Sequence, residues 1–186
     1  AGVRADYAKA RQLALESCDG GNGDGCAVAA EVVSAGIGGD VDTTKGTQLA
    51  RRGCELGSPA SCLASGRALK QGIGTPVSPD AGDRDLQRSY ALASAACSRD
   101  DAGACRIVGE LLRGDDLGAP DLARAAVELE HACTLGDADS CGYAGSAYMT
   151  GQGVAKDPAR AKGLIEKHCQ RMPGGCVGLS TGLLLG

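Results

Sequence analysis

The sequence has no phenylalanine, no tryptophan and only four tyrosines among its 186 residues. It is rich instead in glycine, with 30 residues, and in alanine. A core made from such small side chains requires helices that approach closely, and each helix then buries little apolar surface. Because burial stabilises a fold by only about 25 cal/mol per Å², we expect another source of stability in this chain.

The chain also lacks a long apolar run and a basic cluster. No stretch of about 18 apolar residues occurs, so the sequence predicts no membrane insertion. The 19 basic residues are outnumbered by 23 acidic ones and are spread along the chain. This distribution argues against nucleic acid as a partner and against a basic patch for membrane surfaces. No signal peptide is visible, and we expect that a targeting segment was cleaved or left out.

Ten cysteines recur along the chain in five pairs. Seven residues separate the two cysteines of each of the first four pairs, and six separate the last two. The pairs repeat with a period of 36 residues, apart from a seven-residue insertion between Cys62 and Cys97. An even number of cysteines at regular spacing indicates a disulfide framework, which persists in oxidising compartments. A period of this length is typical of helical repeats.

Other positions keep the same register and predict two helices in each repeat. Each repeat runs from the second cysteine of one pair, its opening cysteine, to the first cysteine of the next pair, its closing cysteine. A small residue lies four places after each opening cysteine, and an aspartate lies twelve places before each closing one. Each aspartate is predicted to cap a second helix that runs to the closing cysteine. These aspartates are Asp6, Asp42, Asp85, Asp121 and Asp157. The first helix of each repeat is predicted to begin near the opening cysteine.

The register organises the chain as one repeat domain over residues 1–186. Residues 1–25 are assigned to the second helix and turn of a partial repeat, and residues 176–186 to the first helix of another. Four repeats lie between them, at residues 26–61, 62–104, 105–140 and 141–175. The second of these holds the insertion. We expect residues 75–83 to form a surface loop whose deletion changes stability little.

Two cysteines eight places apart cannot be bridged within one helix. At a rise of 1.5 Å per residue their α-carbons would be about 12 Å apart, whereas a disulfide requires roughly 4.4–6.8 Å. The helix must therefore break between them, and the Gly-rich segment at residues 19–25 is turn-forming sequence. A bond there would join the end of one repeat to the start of the next. Metal ligation is the alternative, although zinc sites favour shorter spacers.

The stretch from Gly145 to Ala161, Gly-Ser-Ala-Tyr-Met-Thr-Gly-Gln-Gly-Val-Ala-Lys-Asp-Pro-Ala-Arg-Ala, resembles the consensus of Sel1-like repeats, which are related to tetratricopeptide repeats. The cysteine spacing resembles the bacterial cysteine-rich branch, whose secreted members carry one disulfide per repeat. The resemblance implies an all-α fold, a right-handed α-solenoid of helix-turn-helix repeats. Together with the register it predicts five local disulfides: Cys18–Cys26, Cys54–Cys62, Cys97–Cys105, Cys133–Cys141 and Cys169–Cys176.

The family resemblance also carries implications for function. Members act as adaptors whose concave surfaces hold peptides or proteins, which favours a scaffold without catalytic activity. Some cysteine-rich members resemble penicillin-binding proteins with weak β-lactamase activity, and a relative in the mitochondrial intermembrane space assists respiratory-complex assembly and can hold haem. Both remain alternatives, although the chain has no Ser-x-x-Lys motif of serine β-lactamases. We expect a periplasmic or secreted protein, with the intermembrane space as the alternative compartment.

No catalytic residue, metal ligand or cofactor site is predicted. His131 and His168 precede closing cysteines and are interpreted as solvent-facing residues at helix C-termini rather than as metal or haem ligands. Two acidic clusters are interpreted as solvated turns, because neither has the full ligand pattern of a calcium loop. They comprise Asp19, Asn22 and Asp24, and Asp80, Asp83 and Asp85.

The partner is expected to be a protein or peptide, either envelope-associated or a second copy of this chain. Stacked first helices form an extended surface in a solenoid, and charged residues near the opening cysteines are predicted to share one side of it. The candidate binding residues there are Glu31, Arg67, Lys70, Arg106, Glu110 and Arg113. Leu184 and Leu185 form an apolar end that we expect to meet a partner.

Overall fold

The computed structural model describes residues 6–171, and over this range the chain is helical without β-strands. Short turns connect the nine helices of the described range. They are α1 (Tyr7–Asp19), α2 (Gly23–Ser34), α3 (Thr43–Glu55), α4 (Pro59–Gln71), α5 (Pro79–Cys97), α6 (Ala102–Arg113), α7 (Leu122–Thr134), α8 (Ala138–Thr150) and α9 (Pro158–Arg171). None of these helices combines the length and the apolar character that a membrane crossing requires.

The helices belong to two compact units, and the boundary between the units lies within α5. In unit 1, which ends at Leu92, α2 packs against α1, α3 and α4, and α3 packs against α4. In unit 2, which begins at Ala93, α6 packs against α7, α7 against α8 and α8 against α9. Helices that are adjacent in sequence are therefore adjacent in space, which is typical of helical repeats.

Aspartates cap four of the helices that end at a closing cysteine. The carboxylates of Asp6, Asp42, Asp121 and Asp157 each accept a hydrogen bond of 2.9–3.0 Å from the backbone amide three residues later. These bonds satisfy amides that have no partner within the helix. Pro158 follows Asp157 at the start of α9, where its fixed φ suits the first helical position. The four predicted caps are confirmed.

The helices that contain the opening cysteines begin three residues before them, at Gly23, Pro59, Ala102 and Ala138. A polar residue four places before each opening cysteine sets this start. Its side-chain oxygen accepts a hydrogen bond of 2.8–3.2 Å from a backbone amide in the first turn. The capping residues are Asn22, Ser58, Asp101 and Asp137. Both helices of a repeat are thus capped by side chains.

Two expectations for the insertion are wrong. Helix α5 begins at Pro79 rather than after Asp85, so Asp85 lies inside the helix and caps nothing. Residues 79–83, expected in a surface loop, form the first turns of α5, where Pro79 suits the first helical position. Gly82 is buried, and a Cβ added to it would lie 2.7 Å from the carbonyl oxygen of Gly66. The insertion therefore lengthens α5 to 19 residues, against 13 for α3 and α7.

The buried residues are small, as the composition predicts. One cluster in unit 1 and one in unit 2 each combine alanine, leucine and the sulfur atoms of a disulfide. Glycine permits close helix crossing at particular points. A Cβ on Gly145 in α8 would lie 2.7 Å from Ile165 Cγ1 in α9, which is closer than carbon atoms pack. The small residues at this repeat position therefore allow neighbouring helices to pack closely.

Four of the predicted disulfides are present in the described residues: Cys18–Cys26, Cys54–Cys62, Cys97–Cys105 and Cys133–Cys141. Their α-carbons are 4.3–4.6 Å apart, because the chain turns between the two helices that each bond joins. The fifth pair involves Cys176, which lies outside the described residues, as do Leu184 and Leu185. The Cys169–Cys176 pairing and the apolar contact at the chain end stay predictions.

Candidate protein-interaction surfaces

The candidate binding residues of unit 1 lie on two helices and differ in their surroundings. Glu31 on α2 is exposed, whereas Arg67 and Lys70 on α4 are half-buried. Lys70 Nζ lies 2.9 Å from Asp83 Oδ1 in the first turns of α5. An ion pair at this exposure contributes little stability, about 0–1 kcal/mol. Lys70 therefore serves in part to join α4 to α5.

The candidate binding residues of unit 2 all lie on α6. Arg106 forms an ion pair with Glu110 one turn later, and its Nε lies 3.5 Å from Asp137 Oδ2. Because Asp137 caps α8, this contact ties α6 to the start of α8. Arg106 and Glu110 thus have an intramolecular role, and their contact with a partner stays a prediction.

Arg113 stacks on an aromatic ring at the edge of a shallow groove. Its guanidinium carbon lies 4.3 Å from the centroid of the Tyr143 ring, and both side chains are exposed. Such a cation–π contact contributes about 0.5–1 kcal/mol at an exposed site. The groove has a volume of about 50 Å³. It is lined by Arg113, Leu122, Ala125, Ala126, Leu129, Tyr143, Ser146, Ala147 and Gln152.

A larger concavity lies in unit 1, between α3 and α5, and we call it the arginine cleft. Its volume is about 420 Å³. Helices α3 and α5 supply its walls, and Leu69 of α4 and the segment before α5 supply the remainder. It is lined by Arg51, Cys54, Glu55, Leu69, Thr75, Pro76, Ser78, Ala81, Arg84, Asp85 and Arg88. None of these residues was among the candidate partner-binding residues taken from the sequence.

The charge of the arginine cleft is positive on balance. Arg51, Arg84 and Arg88 are exposed, and they outnumber the two carboxylates of the lining, Glu55 and Asp85. Asp85 accepts a hydrogen bond of 2.5 Å from the hydroxyl of the buried Ser65. Arg88 donates one of 3.4 Å to the backbone carbonyl of Glu55. The lining therefore combines guanidinium groups with the apolar side chains of Leu69 and Ala81.

A cluster of three polar side chains joins α7, α8 and α9 and stabilises their packing. The hydroxyl of Tyr148 donates a 2.8 Å hydrogen bond to Glu130, and Arg160 donates two of 2.8 Å to the same carboxylate. Arg160 also lies over the Tyr148 ring, 4.5 Å from its centroid. Burial, and after it the hydrogen bond to Glu130, raises the pKa of Tyr148. This group acts as a clamp between three helices.

The two histidines are less exposed than the sequence predicts. His131 is half-buried beside the Cys97–Cys105 disulfide, and its Nε2 lies 3.1 Å from Asp100 Oδ1. His168 is also half-buried, with Nδ1 2.7 Å from the carbonyl oxygen of Ala138. Each ring therefore contacts a neighbouring turn or helix within unit 2, and the His131 side chain keeps 38% of its surface exposed.

The acidic clusters have structural partners. Asn22 caps α2, and Asp19 pairs with Arg52 at 2.9 Å. Asp83 and Asp85 lie on α5, where they contact α4. Carboxylates held apart along a helix differ from the convergent loop that calcium requires.

Several solved structures have a helical arrangement similar to that of this chain. HcpB, a cysteine-rich protein from Helicobacter pylori, is 27% identical, with a TM-score of 0.50 over 74% of this chain and 94% of its own. A Sel1 repeat protein from Oxalobacter formigenes is 21% identical, with a TM-score of 0.60 over 96% of this chain and 49% of its own. The structure of c5321, a protective antigen of uropathogenic Escherichia coli with an SLR fold, is 22% identical, with a TM-score of 0.59 over 90% and 34%.

The chain has the helical fold of Sel1 repeat proteins. No protein-family model matches it, and no curated protein is significantly similar to it in sequence. The Sel1-like assignment therefore rests on the fold and on the disulfide that joins successive helix pairs. The chain spans about a third of c5321 and about half of the Oxalobacter protein.

The repeat register explains why the sequence did not point to the residues of the arginine cleft. It aligns positions on first helices, and it therefore directs attention to α2, α4 and α6. The arginine cleft depends instead on Arg51 of α3 and on Arg84 and Arg88 of α5. Arg84 and Arg88 are four places apart, so they share a helix face. That signal was present in the sequence, but the cap predicted at Asp85 placed Arg88 inside the helix and Arg84 before it.

Proposed function

We propose that this chain is an extracytoplasmic scaffold that binds a protein or peptide ligand and catalyses no reaction. The arginine cleft of unit 1 is the observation that carries this proposal. Its volume of about 420 Å³ is within the range of about 300–1,000 Å³ that ligand sites occupy. It offers charged groups for recognition but brings no histidine or metal-ligand cluster to them.

The chemistry of the cleft favours an acidic peptide segment with an apolar side chain. Guanidinium groups form paired hydrogen bonds with carboxylates, and Arg51, Arg84 and Arg88 present three of them from two walls. Leu69 and Ala81 provide apolar surface between the walls. Because α3 and α5 run along the sides of this cleft, an extended segment can contact both helices at once.

The four disulfides of the described residues support an oxidising compartment. We propose the periplasm or the extracellular medium. Fractionation of cells that express the protein, followed by thiol labelling, tests this directly. Disulfide-bonded protein in the envelope or medium fraction supports the proposal, and reduced protein confined to the cytosol contradicts it.

Fluorescence anisotropy with a labelled octapeptide, in which leucine is flanked by glutamates, tests the cleft. Arg51→Glu, Arg84→Glu and Arg88→Glu should each weaken binding roughly tenfold or more, since a hydrogen bond to a charged group contributes about 1.5–3 kcal/mol. Lys45→Glu is the matched control, because Lys45 lies on α3, is exposed and does not line the cleft. Equal affinity in all four variants, or no binding to the wild type, would contradict the site.

Catalysis and haem binding are the competing functions. The sequence contains a Gly-x-Ser-x-Gly stretch at residues 178–182, centred on Ser180 and outside the described residues. Nitrocefin and a chromogenic ester, each assayed with wild type and Ser180→Ala, provide the test of hydrolysis. A Soret band on haem titration, lost in His131→Ala or His168→Ala, would favour the haem-linked function. We expect neither turnover nor a specific Soret band.

A further inference from the structure

The junction between α5 and α6 brings four possible metal ligands together. The Cys97 Sγ atom lies 3.4 Å from Glu128 Oε2 and 3.9 Å from His131 Nδ1, and Cys105 Sγ lies 3.6 Å from His131 Nδ1. The ligand atoms of the four residues all fall within 4.8 Å of one another. The two cysteines are buried and the other two residues half-buried, so the group sits at an accessible rim.

These distances fit a tetrahedral zinc ion. With zinc bonds of about 2.3 Å to sulfur and about 2.0–2.2 Å to nitrogen or oxygen, the ligand atoms of a tetrahedron lie roughly 3.3–3.8 Å apart. Three of the separations at this junction already fall in or next to that range. The two sulfurs are too close for a zinc site, because they share a covalent bond. Breaking that bond lets them separate and gives two thiolates, the sulfur ligands zinc prefers.

Asp100 supplies a separate observation. Its carboxylate lies 3.1 Å from His131 Nε2, which is the ring nitrogen opposite the one that faces the sulfurs. A carboxylate on the far nitrogen of a zinc-bound histidine fixes the ring and strengthens its ligand nitrogen. Asp100 makes this contact from a left-handed backbone conformation, with φ of 62°. A non-glycine residue in that conformation is uncommon.

The turns at the other described disulfides have a glycine where this one has Asp100. The residue three places after the closing cysteine is Gly21, Gly57 or Gly136 at the other three described disulfides, and each glycine has a positive φ. Only the third junction replaces that glycine with a carboxylate. The described residues hold no second group of this kind. A structural turn alone would favour glycine, so the aspartate points to a role for its side chain.

We propose that Cys97, Cys105, His131 and Glu128 form a zinc site when the Cys97–Cys105 disulfide is reduced, with Asp100 as the positioning residue behind His131. Two molecules of a thiol reductant transfer two electrons and two protons to the disulfide, giving two cysteine thiols and one oxidised reductant disulfide. Binding of Zn²⁺ then releases both thiol protons to solvent. Zinc therefore competes with the disulfide for the same two sulfurs.

Thiol–disulfide equilibrium in a glutathione redox buffer, with and without a chelator-buffered level of free Zn²⁺, tests the site in the whole chain. After acid quenching and removal of zinc, alkylation and peptide mass spectrometry give the reduced fraction of each cysteine pair. At free zinc of 100 times the dissociation constant, the reduced-to-oxidised ratio of Cys97–Cys105 should rise about 100-fold. The Cys18–Cys26 and Cys54–Cys62 pairs of the same molecules should not respond.

Variants separate a metal site from a general effect of reduction. His131→Ala should abolish the zinc response, and Asp100→Gly should lower zinc affinity by about 10–100-fold. The glycine also relieves the left-handed backbone, so Asp100→Gly is expected to fold at least as well as the wild type. His168→Ala is the matched control, because His168 lies outside the four-ligand group.

Three results would each overturn the proposal. The first is a zinc response of equal size at Cys54–Cys62, and the second is no response at Cys97–Cys105. The third is a zinc response that is unchanged in both single variants, Asp100→Gly and His131→Ala. Circular dichroism of each variant in its oxidised form establishes that it is folded before zinc is added.

Discussion

Gly66 of α4 faces Leu86 of α5 so closely that a Cβ on Gly66 would lie 2.6 Å from Leu86 Cγ. The same Cβ would lie 2.9 Å from the carbonyl oxygen of Gly82. Leu86 is fully buried, so its side chain has no space into which it can move. Glycine at this position therefore sets the distance between two helices.

Gly66→Ala should destabilise the chain although alanine is the better helix former. Overpacking in a filled core typically costs about 1–3 kcal/mol, which exceeds the gain of about 1 kcal/mol in helix propensity. Gly163→Ala is the matched control, because a Cβ on Gly163 of α9 meets no atom within 4 Å. We expect Gly163→Ala to stabilise by about 0.5–1 kcal/mol. Urea unfolding of both variants measures the two signs, and two gains of equal size would contradict close packing at Gly66.

The sequence predicted the capped second helices because their signal is uniform. Asp42, Asp121 and Asp157 keep one residue type at one place in the register. The caps of the first helices were missed because their residue type varies between asparagine, serine and aspartate. What identifies them is a constant place, four before the opening cysteine, and a common ability to accept an amide hydrogen bond.

The error at Asp85 has a different physical origin. Counting back from Cys97 placed Asp85 in register with the other caps, but a register cannot locate where inserted residues enter. Pro79, with Asp80 in the first turn, starts the helix earlier. The arginine cleft and the His131 cluster could not be predicted because both combine residues from helices that meet only after packing. The spacing of residues along the sequence does not give the distance between residues on different helices.

Ser65→Ala should cost about 1–2 kcal/mol of stability. Ser65 is fully buried, and its hydroxyl donates a hydrogen bond of 2.5 Å to the carboxylate of Asp85. Removing the hydroxyl leaves a charged acceptor without that donor. Ser140→Ala is the matched control, since the Ser140 hydroxyl is buried without a hydrogen-bond partner among the described residues. We expect a change close to zero in that variant. Urea midpoints of the two proteins, compared at one pH, distinguish a hydrogen-bond effect from a general effect of serine removal.

Stability should fall at alkaline pH because of Tyr148. Its folded-state pKa is raised above the ordinary value of 10.0, first by burial and then by Glu130, so the folded chain holds this proton more tightly than the unfolded chain. The contribution is therefore fully present below about pH 10 and is lost as the pH rises through the folded-state pKa. Tyr148→Phe should reduce the slope of stability against pH in that window.

Tyr143→Phe provides the comparison for the alkaline prediction, because it leaves the Tyr148–Glu130 hydrogen bond in place. Thermal unfolding of the wild type and both variants between pH 8 and about pH 11 measures the slopes. If Tyr143→Phe and Tyr148→Phe flatten the curve equally, the effect does not come from the clamp of α7, α8 and α9.

The last cysteine pair should be local like the others. Cys169 lies in α9, and Cys176 follows with six residues between them. Mass spectrometry of unreduced proteolytic peptides should recover a Cys169–Cys176 link in addition to the four links of the described residues. A link from Cys169 to an earlier repeat, or a free thiol at either cysteine, would contradict the prediction.

Removing the Cys54–Cys62 bond should cost about 2.5 kcal/mol, the value that the chain-entropy model gives for a nine-residue loop. Cys54→Ala with Cys62→Ala avoids a leftover thiol and an added buried hydroxyl. The Cys18→Ala, Cys26→Ala variant removes a bond that closes a loop of the same length, so unfolded-state entropy predicts the same loss. Urea unfolding of both double variants tests this. Losses that differ by much more than about 0.5 kcal/mol would show that packing around each sulfur pair, rather than loop closure, determines how much a junction disulfide stabilises the chain.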